Sequence, residues 1–192
     1  MARVLTALAF GLMLPASAFA LPVTFTTTLS GANENPSNES PGTGTASVTF
    51  DAVFRTLALS ITFSGLTTND TAAVIHCCVS PPGNVGVATA TPAFFGFPLG
   101  VTSGTYNQTL DLTLFSSWNP AFVNANGGTV AGAEAAFAAG LNAGQAYLNI
   151  HTLMFPGGEI RGFLTPEPMS AVLLGAGLAG LAAARRQRHR SS

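Results

Sequence analysis

The chain has 192 residues, which is enough for one domain plus targeting segments, and its formal net charge is −1. Only 8 % of the residues are charged and lysine is absent, which leaves too little charge for long solvated helices. Between positions 21 and 165 there are two arginines and seven acidic residues, a net charge of −5. We therefore do not expect this part of the chain to bind DNA, RNA or anionic lipid.

The first twenty residues have the layout of a secretory signal. Arg3 supplies a positive start, residues 4–14 form an apolar run, and Ala18 and Ala20 place small side chains where a signal peptidase reads them. We predict a signal helix over residues 1–20 that is cleaved after Ala20 by signal peptidase. The protein is accordingly expected to be exported.

Turn-forming residues then separate seven short runs rich in β-branched and aromatic side chains. The clearest run, 57–63, alternates Leu57, Leu59, Ile61 and Phe63 with small or polar residues, which predicts a strand with one buried face. The other predicted strands are 23–30, 44–51, 72–76, 106–115, 146–151 and 159–164. Seven short strands joined by such turns favour an all-β domain over residues 21–165, a β-sandwich or a partly closed barrel.

Two segments of this domain do not read as strands. Residues 131–141 are rich in alanine and precede Asn142 and Gly144, so we predict one short helix there. Residues 80–104 form a long loop rich in proline and glycine. Its three phenylalanines, Phe94, Phe95 and Phe97, either pack onto the core or form an exposed patch.

The C-terminal segment, residues 166–190, has three successive parts. Pro166-Glu167-Pro168 ends the last strand, residues 169–184 are apolar and uncharged, and an arginine-rich end follows, beginning at Arg185 and Arg186. The apolar run predicts a membrane helix slightly shorter than usual, with its basic end in the cytoplasm. Small residues in that run would also suit a permanent helix-packing anchor.

This arrangement resembles the bacterial PEP-CTERM sorting signal. The resemblance implies recognition by an exosortase-type membrane protease in a Gram-negative bacterium, usually one that makes extracellular polysaccharide. We expect the protein to be at the cell envelope, either anchored in the membrane or released into an extracellular matrix.

Three motifs in the β-rich part occur in a specific order. The chain has Leu-Ser-Gly-Ala-Asn-Glu-Asn-Pro at 29–36, Ile75-His76 at the end of a central strand, and Asn149-x-His151-Thr followed by Pro-Gly-Gly-Glu-Ile-Arg-Gly at 156–162. Together they resemble the CHRD domain over residues 23–164. The resemblance implies an immunoglobulin-like or Greek-key β-sandwich, and it implies no settled biochemical activity.

Two charged residues of the last motif admit two interpretations. Glu159 and Arg161 are two positions apart and so share a face of their strand, where they would form a weak solvated pair. Alternatively, Glu34 reaches Arg161 and ties the first loop to the last strand.

His76 and His151 each lie near the end of a predicted strand and are candidate ligands for Cu or Zn. Members of the resembling family often have His-Ile-His where this chain has Val74-Ile75-His76, so one partner is missing. A structural role for both histidines remains the main alternative.

Cys77 and Cys78 are the two cysteines of the chain, and they are adjacent. In an oxidising compartment the options are a vicinal disulfide, intermolecular pairing or metal ligation. We favour a vicinal disulfide or two buried thiols.

The chain has no Gly-x-Ser-x-Gly elbow, no His-Glu-x-x-His and no phosphate-binding loop ahead of a helix. Spacing alone selects no catalytic pair among the acidic residues. We therefore predict a non-enzymatic surface or matrix module, with a metal- or small-ligand-binding protein as the alternative.

Overall fold

A computed structural model describes residues 21–167 of the chain. The predicted signal segment 1–20 and the predicted membrane helix 169–184 lie outside these residues. Among the described residues no helix has the length and apolarity needed to cross a bilayer. The elements are β1 Val23–Ser30, β2 Thr43–Asp51, β3 Thr56–Ser64, β4 Asp70–Cys77, β5 Gly104–Asp111, α1 Pro120–Ala125, α2 Val130–Asn142, β6 Ala146–Thr152, β7 Ile160–Phe163 and β8 Thr165–Pro166.

The strands form one antiparallel sheet, which is curled. Its order is β4-β6-β7-β1-β2-β3-β5, and the short β8 also pairs with β1. Strands from both halves of the sheet contribute to a single hydrophobic cluster, so the sheet folds over its own core. The prediction of a mostly β, sandwich-like domain is confirmed at this level, although the strands of residues 21–167 form one curled sheet and not two separate ones.

The burial pattern of β3 agrees with the alternation in its sequence. Leu57, Leu59, Ile61 and Phe63 are at most 3 % exposed, whereas Ser60 and Thr62 between them are exposed. Each such side chain contributes about 1.5–3 kcal/mol by leaving water. This strand therefore anchors one half of the sheet to the core.

Strand β5 is shorter than the predicted 106–115. It ends at Asp111, whose Oδ1 accepts hydrogen bonds from the backbone nitrogen and the hydroxyl of Thr113. That side-chain turn competes with the sheet ladder. The leucines beyond it do not continue one face, since Leu112 is buried and Leu114 is 51 % exposed.

The described residues contain two α-helices, and the sequence predicted one of them. Helix α2 begins after Thr129, whose hydroxyl accepts from the Gly132 nitrogen, and it packs Phe137 and Leu141 into the core. Helix α1 was missed, although Asn119-Pro120 is a start signal: the Asn119 side chain caps the helix and proline occupies its first turn.

The long segment between β4 and β5 has no regular strand but is attached to the sheet. Isolated bridges join His76 to Val87 and Ala73 to Ala93. Phe94 and Phe97 are buried, whereas Phe95 is 90 % exposed. Both interpretations of the three phenylalanines thus apply in part, because two of them pack inward and one faces solvent.

Candidate functional site

A polar layer covers the side of β4, β6 and β7 that faces away from the core. Pairing places His76 opposite Tyr147 and Arg161 opposite Asn149, while the alternate residues of β6 point into the hydrophobic interior. We call six residues of this layer the Arg161 cluster. They are Glu34, His76, Tyr147, Asn149, His151 and Arg161.

Arg161 is the centre of the cluster and is completely buried. Its Nε donates to the carbonyl oxygen of Asn33 at 2.6 Å, and its two terminal nitrogens donate to Asn84 Oδ1 at 2.7 Å and to the Pro82 carbonyl at 2.8 Å. The guanidinium also lies over the Tyr147 ring, 4.8 Å from its centroid. One side chain thereby holds the loop after β1 and the loop after β4 on the sheet.

Glu34 provides the acidic neighbour of Arg161. Glu34 Oε2 lies 3.7 Å from Arg161 Nε, so the predicted link between the first loop and the last strand is present as a long ion pair. Burial raises the pKa of Glu34 to about 7 even though the charge of Arg161 opposes the shift. The other oxygen, Oε1, is buried and has no hydrogen-bond partner among the described residues.

Glu159 and Arg161 do not form a solvated pair, because both are completely buried. Glu159 accepts hydrogen bonds from the Ser40 hydroxyl, from Thr67 and from the Thr152 hydroxyl, at 2.5–2.9 Å. Burial raises its pKa, but these donors outweigh burial and leave the pKa below its usual value. Glu159 thus joins three separate segments, and the expectation of a weak surface pair was wrong.

His76 and His151, the predicted metal ligands, come together in the structure. Their ring centroids are 5.8 Å apart, and the His76 ring also stacks on Tyr147. His76 Nδ1 donates to the Val85 carbonyl at 2.7 Å, and His151 Nδ1 donates to the Pro156 carbonyl at 3.0 Å. These bonds select the tautomer whose Nε2 carries a lone pair, which is the form that ligates metals.

Both imidazoles are neutral near pH 7. Burial lowers the pKa of His76 to about 4 and also lowers the pKa of His151. His76 Nε2 has no hydrogen-bond partner in the described part of the chain. However, within residues 21–167 no three His, Cys, Asp or Glu side chains are grouped so that they could hold a metal ion. The geometry therefore offers a pair of nitrogen ligands and no complete coordination shell.

Cys77 and Cys78 are joined by a disulfide. Cys77 is buried at the end of β4, while Cys78 is exposed and its sulfur lies 3.5 Å from the Ala136 carbonyl of α2. A Cβ added to Gly140 would meet both sulfur atoms at less than contact distance. The disulfide therefore packs directly on the backbone of α2.

The predicted processing and sorting residues are only partly within the described chain. Ala18, Ala20, Pro168, Arg185 and Arg186 lie outside it. Pro166 belongs to β8 and pairs with Phe25 of β1, and the nitrogen of Glu167 donates to the Thr24 carbonyl at 2.9 Å. The first two residues of the proline-glutamate-proline motif are thus attached to strand β1.

Sequence reasoning missed Tyr147, Asn149 and Asn84 as members of or partners to the site. The alternation Tyr-Leu-Asn-Ile-His in β6 was a usable signal, because period two places Tyr147, Asn149 and His151 on one face. No comparable signal marks Asn84, which reaches Arg161 from an irregular loop 77 positions away.

Comparison with known proteins gives one family match. Residues 25–164 match the family model described as the CHRD domain. Neither the curated proteins nor the solved structures contain a significant match to the chain.

Proposed function

This chain belongs to the CHRD domain family, and from that premise we propose that it is an exported, non-enzymatic module of the cell surface or extracellular matrix. One observation carries the proposal. Glu159 and Arg161, the charged residues of the family-like motif, are completely buried and committed to internal hydrogen bonds. Buried groups that are saturated in this way stabilise a framework and are not free to bind or convert a substrate.

Export and retention form the second part of the proposal. The N-terminal charged and apolar layout with Ala18 and Ala20 supports secretion through signal peptidase. The proline-glutamate-proline motif, the apolar run 169–184 and the arginine-rich end support sorting by an exosortase-type protease. We expect the mature domain to face the outside of the cell, in contact with matrix polymers such as extracellular polysaccharide.

Cell fractionation tests the sorting step. The variants Glu167→Ala and a deletion of residues 169–192 should both change envelope retention, while the purified domains keep the same circular dichroism spectrum. A Glu39→Ala variant serves as the control, since Glu39 is an exposed acidic residue outside the motif. Wild-type fractionation of both sorting variants would contradict the role of the tail.

Activity assays test the proposal that the domain is not an enzyme. We expect purified domain to show no hydrolytic activity on polysaccharides or peptides, and no redox turnover. An activity that purifies with the domain and vanishes in His76→Ala would overturn the proposal.

The histidine pair favours a second candidate function, the binding of Cu or Zn or of a small ligand. Two neutral imidazoles lie side by side, each with Nδ1 held by a backbone carbonyl and Nε2 carrying a lone pair. Metal analysis of purified domain, before and after addition of Cu²⁺ or Zn²⁺, should then show binding that His151→Ala weakens. Metal-free protein that also fails to take up added metal would remove this candidate.

A further inference from the structure

A cavity lies between the end of β4 and helix α1, apart from the side chains of the Arg161 cluster. Its volume is about 590 Å³, and its wall includes the Cys77–Cys78 disulfide, Gly86, Phe122 and the amides of Asn119 and Asn126. This volume lies within the range of about 300–1,000 Å³ that is typical of small-molecule sites. None of the six side chains of the Arg161 cluster lines it.

Helix α2 supports the Cys77–Cys78 disulfide, which forms part of the cavity wall. The disulfide sulfurs touch the backbone of α2 at Gly140, and Cys78 Sγ lies 3.5 Å from the Ala136 carbonyl. The opening exists because small residues stand at its edge. A Cβ placed on Gly86 would meet no atom within 4 Å, and α1 contributes the small residues Ala121 and Ala125 to the lining. The cavity is therefore bounded by the disulfide on one side and by small residues at its opening.

The charge and polarity of the lining side chains indicate which class of ligand the cavity can bind. No charged side chain lines the cavity, so an ionic ligand would lose its hydration without gaining a counter-charge. Sulfur atoms and the Phe122 ring are polarizable surfaces that make favourable contacts with aromatic rings.

Two amide groups of the wall are free to orient a polar substituent. Asn119 uses its Oδ1 to cap α1, and Asn126 uses its Nδ2 to bond the Phe122 carbonyl. The remaining donor, Asn119 Nδ2, and the remaining acceptor, Asn126 Oδ1, make no hydrogen bond within the described residues. A ligand hydroxyl can pair with either one.

We propose that this cavity binds an uncharged aromatic molecule carrying a hydroxyl group. The ring lies against the Cys77–Cys78 disulfide, and the hydroxyl pairs with the amide of Asn119 or of Asn126. This site is independent of the surface-module function proposed above and of the histidine pair.

Titration of oxidised, ¹⁵N-labelled domain with 4-methylphenol tests the proposal. We expect saturable shifts of the Gly86, Asn119 and Asn126 resonances with a dissociation constant on the order of 1 mM. 4-Methylbenzoate, a charged compound of similar size, should bind at least about tenfold more weakly. Bound 4-methylphenol should also slow the reduction of the disulfide by a phosphine.

A matched pair of variants locates the site. Gly86→Leu should weaken binding at least about tenfold by filling the cavity, whereas Gly157→Leu should leave it unchanged. A Cβ at either glycine meets nothing within 4 Å, and neither has a positive φ, so both variants should fold. Shifts that fail to saturate, or a Gly86→Leu variant that binds like the wild type, would overturn the proposal.

Discussion

At the scale of single residues, Arg161 has the clearest consequence for stability. Its guanidinium donates in three directions, to Asn33, Asn84 and the Pro82 carbonyl, with no exposure to solvent. A lysine ammonium is a point charge that cannot reproduce this planar fork.

We predict that Arg161→Lys lowers the free energy of unfolding by about 3–5 kcal/mol, because a buried charge would keep only part of its partners. Urea unfolding of the oxidised domain measures this loss. Arg55→Lys is the control, since Arg55 is partly exposed and bonds Glu134 alone, and it should cost less than about 1 kcal/mol. Equal losses of unfolding free energy in the two variants would show that the three hydrogen bonds of Arg161 stabilise the fold no more than the Arg55–Glu134 pair does.

Glu34 contributes to the stability of the fold in a pH-dependent way, and the direction of this dependence follows from its raised pKa. The folded pKa is raised from 4.5 to about 7, so the folded state holds its proton where the unfolded state has lost it. The contribution of Glu34 to stability is therefore complete below pH 4.5 and is lost as the pH rises through 7. Arg161, Tyr147 and the amide of Asn149 are titratable, charged or polar groups near this carboxyl.

We predict that Glu34→Gln removes this loss, so that the variant gains stability relative to the wild type between pH 4.5 and 7 and keeps the gain at pH 8. Urea midpoints at each pH measure the difference. Taking the difference also cancels the opposite trend of His76, whose lowered pKa destabilises the fold as the pH falls from 6.5 towards 4. Glu39→Gln, at an exposed position, provides the control. A stability difference that does not vary with pH would contradict the raised pKa.

At the scale of elements, helix α2 is shaped by the disulfide beneath it. Glycine inside a helix normally costs about 0.5–1 kcal/mol relative to alanine. Gly140 is the reverse case, because an added Cβ would overlap both sulfur atoms of the Cys77–Cys78 bond.

We predict that Gly140→Ala destabilises the domain by about 1–3 kcal/mol, the usual cost of overpacking a well-packed site. In a Cys77→Ala/Cys78→Ala background the same change should be neutral or stabilising, because the obstructing sulfurs are gone. Thermal unfolding of the four proteins completes this double-mutant cycle. A stabilising Gly140→Ala in the oxidised wild-type background would be inconsistent with the observed packing.

The elements also show what the sequence can predict. The periodic pattern of the sequence predicted seven strands and helix α2, because alternation and turn residues determine local backbone structure. It overextended β5 because the Asp111 side-chain turn competes with the ladder over only two residues. The meeting of His76 and His151 required knowing that β4 pairs with β6, a partner some 70 positions away, and local pattern carries no such pairing information. Likewise, the loop contacts of Arg161 depend on how an irregular segment folds back.

At the scale of the whole molecule, the sheet extends into the proline-glutamate-proline motif. Strand β8 pairs Pro166 with Phe25, and the Glu167 nitrogen bonds the Thr24 carbonyl, so the sheet uses the chain as far as residue 167. Any tether formed by the following residues would then act on β8, which pairs with β1.

We predict that a chain ending at Glu167 unfolds at the same temperature as the chain that ends at Ser192. A chain ending at Leu164 should unfold several degrees lower, since it loses the β8 pairing and exposes that edge of β1; for a domain of this size about 1 kcal/mol corresponds to roughly 2–4 °C. Calorimetry of the three proteins, all with the same first residue, measures both comparisons. Identical unfolding temperatures for the Leu164 and Glu167 ends would mean that the motif is attached to the sheet without supporting it.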